Sequence, residues 1–183
     1  MKQWKTLSTK TLLTHKRLNV YEDEVELPNG HRTDYIHFGK AKDASCVIAI
    51  NSDQKVLVQK EYSYPPNQWL YQFPGGALEA HETPEQGALR ELAEEAGQTG
   101  SLQSIGWYYL DNRRRPDKHH NFICTGLTAV TAQPDTEEEF ETYWLSVAEI
   151  DTLITSGQIN NSSMLAAWAL FKASPLANPS LKA

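Results

Sequence analysis

Cysteine is scarce: the 183-residue chain holds two, Cys46 and Cys124, each inside an apolar segment, SCVIAI and NFICTGL. Two thiols so placed offer neither metal-ligand spacing nor a disulfide framework, so buried, inert thiols are expected. Long apolar runs are also lacking. No stretch approaches the ~20 apolar residues of a membrane span. The N-terminus MKQWKTLSTKTLLTHKRLNV is basic but has no apolar core or small-residue cleavage site of a secretion signal. A cytoplasmic, reduced location is the default expectation. Positive charge is in deficit, with 17 Lys and Arg against 23 Asp and Glu and a formal charge of −6. Nucleic-acid and anionic-membrane binders are normally basic, so neither partner is expected. The chain shows no repeat and no low-complexity linker.

What is present is a globular composition, 40% apolar and 22% charged, long enough for a real core. Strands dominate the first third. Val20 to Leu27 and His31 to Phe38 flank the turn Pro28-Asn29-Gly30, and a second hairpin is expected between Ser45–Ile50 and Val56–Gln59 across Asn51-Ser52-Asp53-Gln54. Further strands are expected over 101–110, 121–130 and 141–145. The end of the chain reads as helical: Ser146 caps a helix to Ser156 with Glu149 in the capping-box position, and Gly157 stops it. Asn161 or Ser162 then opens a second helix with Leu165, Trp168, Ala169 and Phe171 as apolar positions.

The chemistry concentrates in residues 76–97, GALEAHETPEQGALRELAEEAG. Thr83, Pro84 and Gln86 form a helix start with a capping box, and Gly97 is a C-terminal stop. Leu89, Leu92, Ala93 and Ala96 make one apolar stripe. Glu91, Glu94 and Glu95 point away from it. Glu91 and Glu95 are like charges one turn apart, costing roughly 0.2–0.5 kcal/mol, while Arg90 and Glu94 attract at the same spacing. Such a cluster reads as a solvated acidic face or as a site for a hard divalent cation. The preceding Phe73-Pro74-Gly75-Gly76 favours the cation, because its glycines let backbone carbonyls approach a ligand.

This stretch resembles the Nudix box, G-x5-E-x7-R-E-U-x-E-E-x-G-U, where U is a bulky apolar residue. Gly76, Glu82, Arg90, Glu91, Leu92, Glu94, Glu95 and Gly97 fall on its positions, and Gln98 departs from the last. The resemblance implies an α+β fold, an α/β/α sandwich around a mixed sheet, with an N-terminal antiparallel strand section over 1–40 and a hydrolase domain over 41–183. Length and the closing helical segment look like the ADP-ribose and nucleoside-diphosphate-sugar pyrophosphatase branch. Its members are usually homodimers whose N-terminal strands reach the partner's substrate site. The branch's Gln-Tyr/Phe-Arg strand end reads Glu61-Tyr62-Ser63 here, and the later loop reads Asp-Asn-Arg-Arg-Arg-Pro. A broader nucleoside-diphosphate-sugar preference than ADP-ribose alone is therefore expected.

By the resemblance, Mg²⁺ (with Mn²⁺ as substitute) would sit on Glu91, Glu95 and the Gly75 carbonyl, with Glu82 in the outer shell or on a further ion. Arg90 and Glu94 would complete the catalytic helix. A glutamate beyond the box serves as general base in this branch, and among Glu137, Glu138 and Glu139 the spacing to Leu145-Ser146 favours Glu138. Candidate substrate contacts are Arg32 for phosphate, Tyr21 or Trp4 for base stacking, and Arg114 within Arg113-Arg114-Arg115 as an anion clamp. Strand packing and a solvated basic turn are the competing readings of these residues. His119-His120, with no second ligand pair, reads as structural. The rival activities are hydrolysis of nucleoside triphosphates or dinucleoside polyphosphates, and a Nudix-fold binding module without catalysis.

Overall fold

The computed structural model describes residues 2–132 and 139–177. Glu137 and Glu138 lie outside the described residues; Glu139 is exposed, just before a strand.

The chain divides into two compact units. The first comprises Met1–Lys42 with Asp111–Asp117. It is an antiparallel sheet of β1 (Lys5–His15), β2 (Leu18–Glu26) and β3 (Arg32–Phe38), in that order. The β2–β3 hairpin turns where Pro28-Asn29-Gly30 places it, with Gly30 at φ 82°. β1 lies in the polar segment KTLSTKTLLTH, whose weak alternation conceals it in sequence. The segment 111–117 is tied to β3. The Phe38 N–H donates to the Arg114 carbonyl at 2.7 Å and the Tyr35 hydroxyl to the Arg113 carbonyl at 2.6 Å.

The second unit comprises Asp43–Leu110 and Lys118–Ala183. Its strands are β4 (Ala44–Ala49), β5 (Val56–Ser63), β6 (Gln68–Gln72), β7 (Gly75–Ala77), β8 (Gln98–Tyr109), β9 (Lys118–Ala129) and β10 (Phe140–Leu145). Its helices are α1 (Pro84–Ala96), α2 (Val147–Thr155) and α3 (Ser162–Ala173). One sheet runs β7-β4-β9-β8 and another β10-β5-β6, with β4 and β9 parallel and the other pairs antiparallel. The expected β4–β5 hairpin is corrected here. The two strands meet at a single bridge, Ile50 to Val56, and then enter different sheets.

The two-residue period of the strands divides the core between two helical layers. Val47, Ala49, Leu57, Phe122 and Cys124 pack with Ala88 and Leu92 of α1. Their neighbours Ile48, Val56, Val58 and Ile123 pack with Ile150 of α2 and Met164, Trp168 and Phe171 of α3. Helix α1 thus covers one face and α2 with α3 the other, the layering of an α/β/α sandwich. All three helices begin on side-chain caps: Thr83, Ser146 and Asn161 each accept from the backbone N–H three residues on.

Candidate active site

Helix α1 is specified locally. The Gln86 N–H donates to Thr83 Oγ1 at 3.2 Å, the Thr83 N–H donates to Gln86 Oε1 at 2.9 Å, and Gly97 closes the helix at φ 60°. The apolar stripe expected over Leu89, Leu92, Ala93 and Ala96 is corrected in part. Ala88 and Leu92 are fully buried with Gly87, whereas Leu89 and Ala93 are half-buried. Gly87 explains the rotation, since a Cβ there would stand 2.4 Å from Leu78 Cδ2, so the glycine lets the helix settle against Leu78. Burying Leu92 contributes roughly 1.5–3 kcal/mol to seating this helix.

The acids are held from two directions. Arg90 donates through Nε and Nη2 to both oxygens of Glu82 at 2.9 and 3.1 Å, through Nη1 to Glu94 at 2.9 Å, and through Nη2 to the Ala77 carbonyl at 3.2 Å. Its Nη1 also lies 3.0 Å from Glu91 Oε1. The hydrogen bonds to Glu82 foremost, with Glu94 and Glu91, hold the guanidinium even further above its ordinary value. Glu82 Oε2 accepts in addition from the Glu79 N–H at 2.8 Å. One arginine therefore offsets the like-charge cost of the helix and fastens the loop to it.

The second restraint is backbone. β7 lies against the start of β4, pairing Gly75 with Cys46 and Gly76 with Ser45. The Gly75 N–H donates to Glu95 Oε2 at 3.2 Å. A Cβ on Gly75 would come 2.2 Å from the Ser45 carbonyl, and one on Gly76 would come 2.4 Å from Glu91 Oε1. Gly75 is required by its approach to backbone, whereas Gly76 leaves the room that the Glu91 carboxylate occupies. Gly76→Ala is accordingly expected to displace the Glu91 carboxylate and lower kcat on the order of 10²-fold, with a smaller effect on folding. Steady-state kinetics beside a melting curve check this.

The donor set is all oxygen: two carboxylates one helical turn apart, drawn onto the Gly75–Gly76 backbone. That suits a hard divalent cation. Among the described residues, no three His, Cys, Asp or Glu side chains stand together at metal-holding distance. A Mg²⁺ site does not need them, because this ion typically takes one or two carboxylates, keeps several waters and uses substrate phosphates.

Beside Gly75 and Gly76 opens a cleft of about 180 Å³, lined also by Gln72, Phe73, Tyr108, His119 and Ser163. The Tyr108 ring stacks on His119 with centroids 5.4 Å apart. His119, expected to be structural, thus faces the site; the residues lining the cleft are too far apart in sequence for any motif to signal it. Cys46 also lines it, and burial foremost pushes its thiol up to about 12, as burial pushes Cys124 up to about 11. Neither is a nucleophile near neutrality, and alkylating reagent at pH 7 is expected to leave native activity unchanged.

Tyr21, Arg32 and Arg114 all fall in the first unit. Tyr21 packs on His37 with centroids 5.5 Å apart. Arg114 donates to the Ile36 carbonyl at 2.8 Å and lies over the Tyr35 ring, and Arg115 pairs with Asp117 at 3.2 Å. Trp4 meets Tyr35 edge-on. Arg32 pairs with Glu26 at 3.3 Å and has a 61% exposed side chain.

The NUDIX domain profile matches residues 40–168, and that of the nucleoside diphosphate sugar hydrolase N-terminal domain matches residues 4–35. The ADP-ribose pyrophosphatase of Bacillus subtilis (strain 168) is 29% identical over 136 residues, covering 74% of this chain and 73% of that protein. The CMP-5'-(N-acetyl-N-hydroxy-3-aminopropyl)phosphonate hydrolase of Streptomyces rubellomurinus (strain ATCC 31215) is 27% identical over 142 residues, covering 77% and 68%. A solved structure of an ADP compounds hydrolase matches with a TM-score of 0.88 over 97% of this chain and 96% of its own, at 18% identity, which speaks for the fold. No helix among the described residues is long and apolar enough to cross a membrane. With the box matched on α1 and its loop at every position but Gln98, the chain belongs to the Nudix family.

Proposed function

We propose that this chain is a Mg²⁺-dependent hydrolase that cleaves the diphosphate of nucleoside diphosphate sugars, such as ADP-ribose or GDP-mannose, to a nucleoside monophosphate and a sugar phosphate. The observation that carries this reading is the pair Glu91 and Glu95, held against the glycine backbone of β7, with Arg90 paired to Glu91 and to the neighbouring Glu82 and Glu94. The N-terminal profile and the named activities of the relatives support the sugar-nucleotide branch. The same branch suggests a homodimer in the cytoplasm, with Mn²⁺ able to replace Mg²⁺.

Glu91, Glu95 and the Gly75 carbonyl would hold the ion. When bound, it supplies positive charge against the diphosphate oxygens and makes a water more acidic. The chain's own residues do the rest. Arg90 pairs with Glu91 and holds it in place, and Glu82 anchors Arg90, so both position rather than touch substrate. Glu94, with a 41% exposed side chain against 12% for Glu82 and Glu91, has more freedom than those two to reach a further ion. Glu138 is the proposed general base. Of the candidate substrate contacts, Arg32 is the one we assign to phosphate, because its guanidinium is largely exposed. The bonds of Arg114 to β3 point to a structural role, and the packing of Tyr21 on His37 makes it a secondary candidate for base stacking.

A hydrolysis panel over ADP-ribose, GDP-mannose, other nucleoside diphosphate sugars and nucleoside triphosphates tests the proposal. Sugar phosphate plus nucleoside monophosphate is the expected product pair. Pyrophosphate released from a triphosphate, with the sugar nucleotides untouched, would overturn it.

A further inference from the structure

The cleft beside Gly75 and Gly76 has an unusual polarity: the side-chain donors of Gln72, Ser163, Tyr108 and Cys46 are spent inside the protein. Gln72 Nε2 donates to Glu61 Oε2 at 2.7 Å. An ionised carboxylate can only accept, so this bond fixes which way the amide points and leaves Gln72 Oε1 as its open, accepting end. Ser163 Oγ donates to Asn161 Oδ1 at 2.9 Å. That oxygen also accepts from the Met164 N–H at 2.9 Å, while Asn161 Nδ2 donates to the Tyr71 carbonyl, so the asparagine orientation is fixed as well. The single Ser163 hydroxyl proton is thereby used, and its oxygen keeps lone pairs to offer. The Tyr108 hydroxyl donates to the Ser163 carbonyl at 3.0 Å, and the Cys46 thiol to Asn121 Oδ1 at 3.4 Å. The Ser45 hydroxyl is buried beside Gly87 of α1, where it has no hydrogen-bond partner among the described residues.

No lysine or arginine is among the described residues lining this cleft. A phosphate brought here would meet the accepting oxygens of Gln72 and Ser163 and no lysine or arginine, with positive charge only from the ion proposed at Gly75. A polyol would meet partners for its hydroxyl protons, and the Tyr108 ring, stacked on His119, offers an apolar wall for a C–H face. Size agrees. Pockets for drug-sized ligands run about 300–1,000 Å³, so 180 Å³ suits one sugar ring rather than a whole nucleoside.

We infer that this cleft seats the sugar of the nucleoside diphosphate sugar, with Gln72 Oε1 and Ser163 Oγ accepting from its hydroxyls and selecting it against a third phosphate. The inference rests on the function proposed above and adds the residues that choose the substrate. Gln72 and Ser163 are specificity-determining, and Glu61 acts through Gln72 as a positioning residue.

Gln72→Leu and Ser163→Ala test it, with KM and kcat measured on ADP-ribose and on ATP. Each variant is expected to raise KM for ADP-ribose roughly five- to tenfold, about the worth of one hydrogen bond, with kcat changed by no more than about twofold. Any ATP turnover should be untouched. Glu61→Gln should give a smaller rise, because the Gln72 amide can then turn. Unchanged KM for ADP-ribose, or equal losses on ADP-ribose and ATP, would overturn the inference while leaving the proposed function standing. Ser163→Ala alone decides the matter if Gln72→Leu does not fold. Wild-type protein that hydrolyses no sugar nucleotide would instead remove the proposed function, and the sugar cleft with it.

Discussion

Glu95→Gln is expected to lower kcat on the order of 10³-fold while the melting temperature stays close to wild type. This side chain has two separable tasks. As a structural group it accepts a hydrogen bond from the Gly75 N–H at 3.2 Å, and a glutamine carbonyl oxygen can accept the same bond. As a chemical group it supplies a full negative charge toward the proposed ion. Lewis-acid stabilisation of a reacting phosphate is worth several kcal/mol, and each 1.36 kcal/mol is tenfold in rate. Kinetics at saturating Mg²⁺ beside a thermal melt read both quantities. A large fall in melting temperature would show that Glu95 matters to folding instead.

Arg90→Met should harm stability as well as rate. The guanidinium is 23% exposed, and it serves Glu82 and Glu91, each 12% exposed, as well as Glu94. Removing it takes a counter-charge away from Glu82 and Glu91, which water reaches poorly. Breaking a buried pair by deleting one partner costs about 3–5 kcal/mol, and the partial exposure here brings the expectation to about 2–4 kcal/mol. For a chain of this size that is a fall in melting temperature of roughly 5–15 °C. Arg90→Lys keeps the charge and loses the planar fork that spans both Glu82 oxygens, so it should recover only part of the loss. A lysine variant equal to wild type would show that charge alone suffices.

The contrast between these residues shows what could be read from sequence. The Arg90–Glu94 pair was legible because helical spacing brings i and i+4 together. The stronger tie to Glu82 was not, since Glu82 lies eight positions earlier in a loop that folds back through its bond to the Glu79 N–H. The caps of α1, α2 and α3 were legible for the same local reason. The strands β6 and β7 were hidden. β6 follows a Pro-Pro-Asn turn, and β7 is three residues long with two glycines, so neither has a period to detect. Asn51–Gln54 was read as a hairpin turn, yet a local signal cannot say that the strands part after one bridge. Gln72, Tyr108, His119 and Ser163 come from four separate elements, and their shared cleft is a product of the fold alone. Arg114 shows the converse: a loop cation suggests a ligand in sequence, and the structure adds a bond to β3 that no local signal announces.

The central claim is that the acids of α1 form a divalent-cation platform for splitting a diphosphate. Its most direct test is the appearance of AMP and ribose 5-phosphate from ADP-ribose as Mg²⁺ is titrated, in wild type and Glu95→Gln side by side. Saturable dependence on Mg²⁺ in the wild type, nearly lost in a variant with the same melting temperature, is the predicted result. Product formation that persists in excess chelator, or a Glu95→Gln variant as active as wild type, would contradict it.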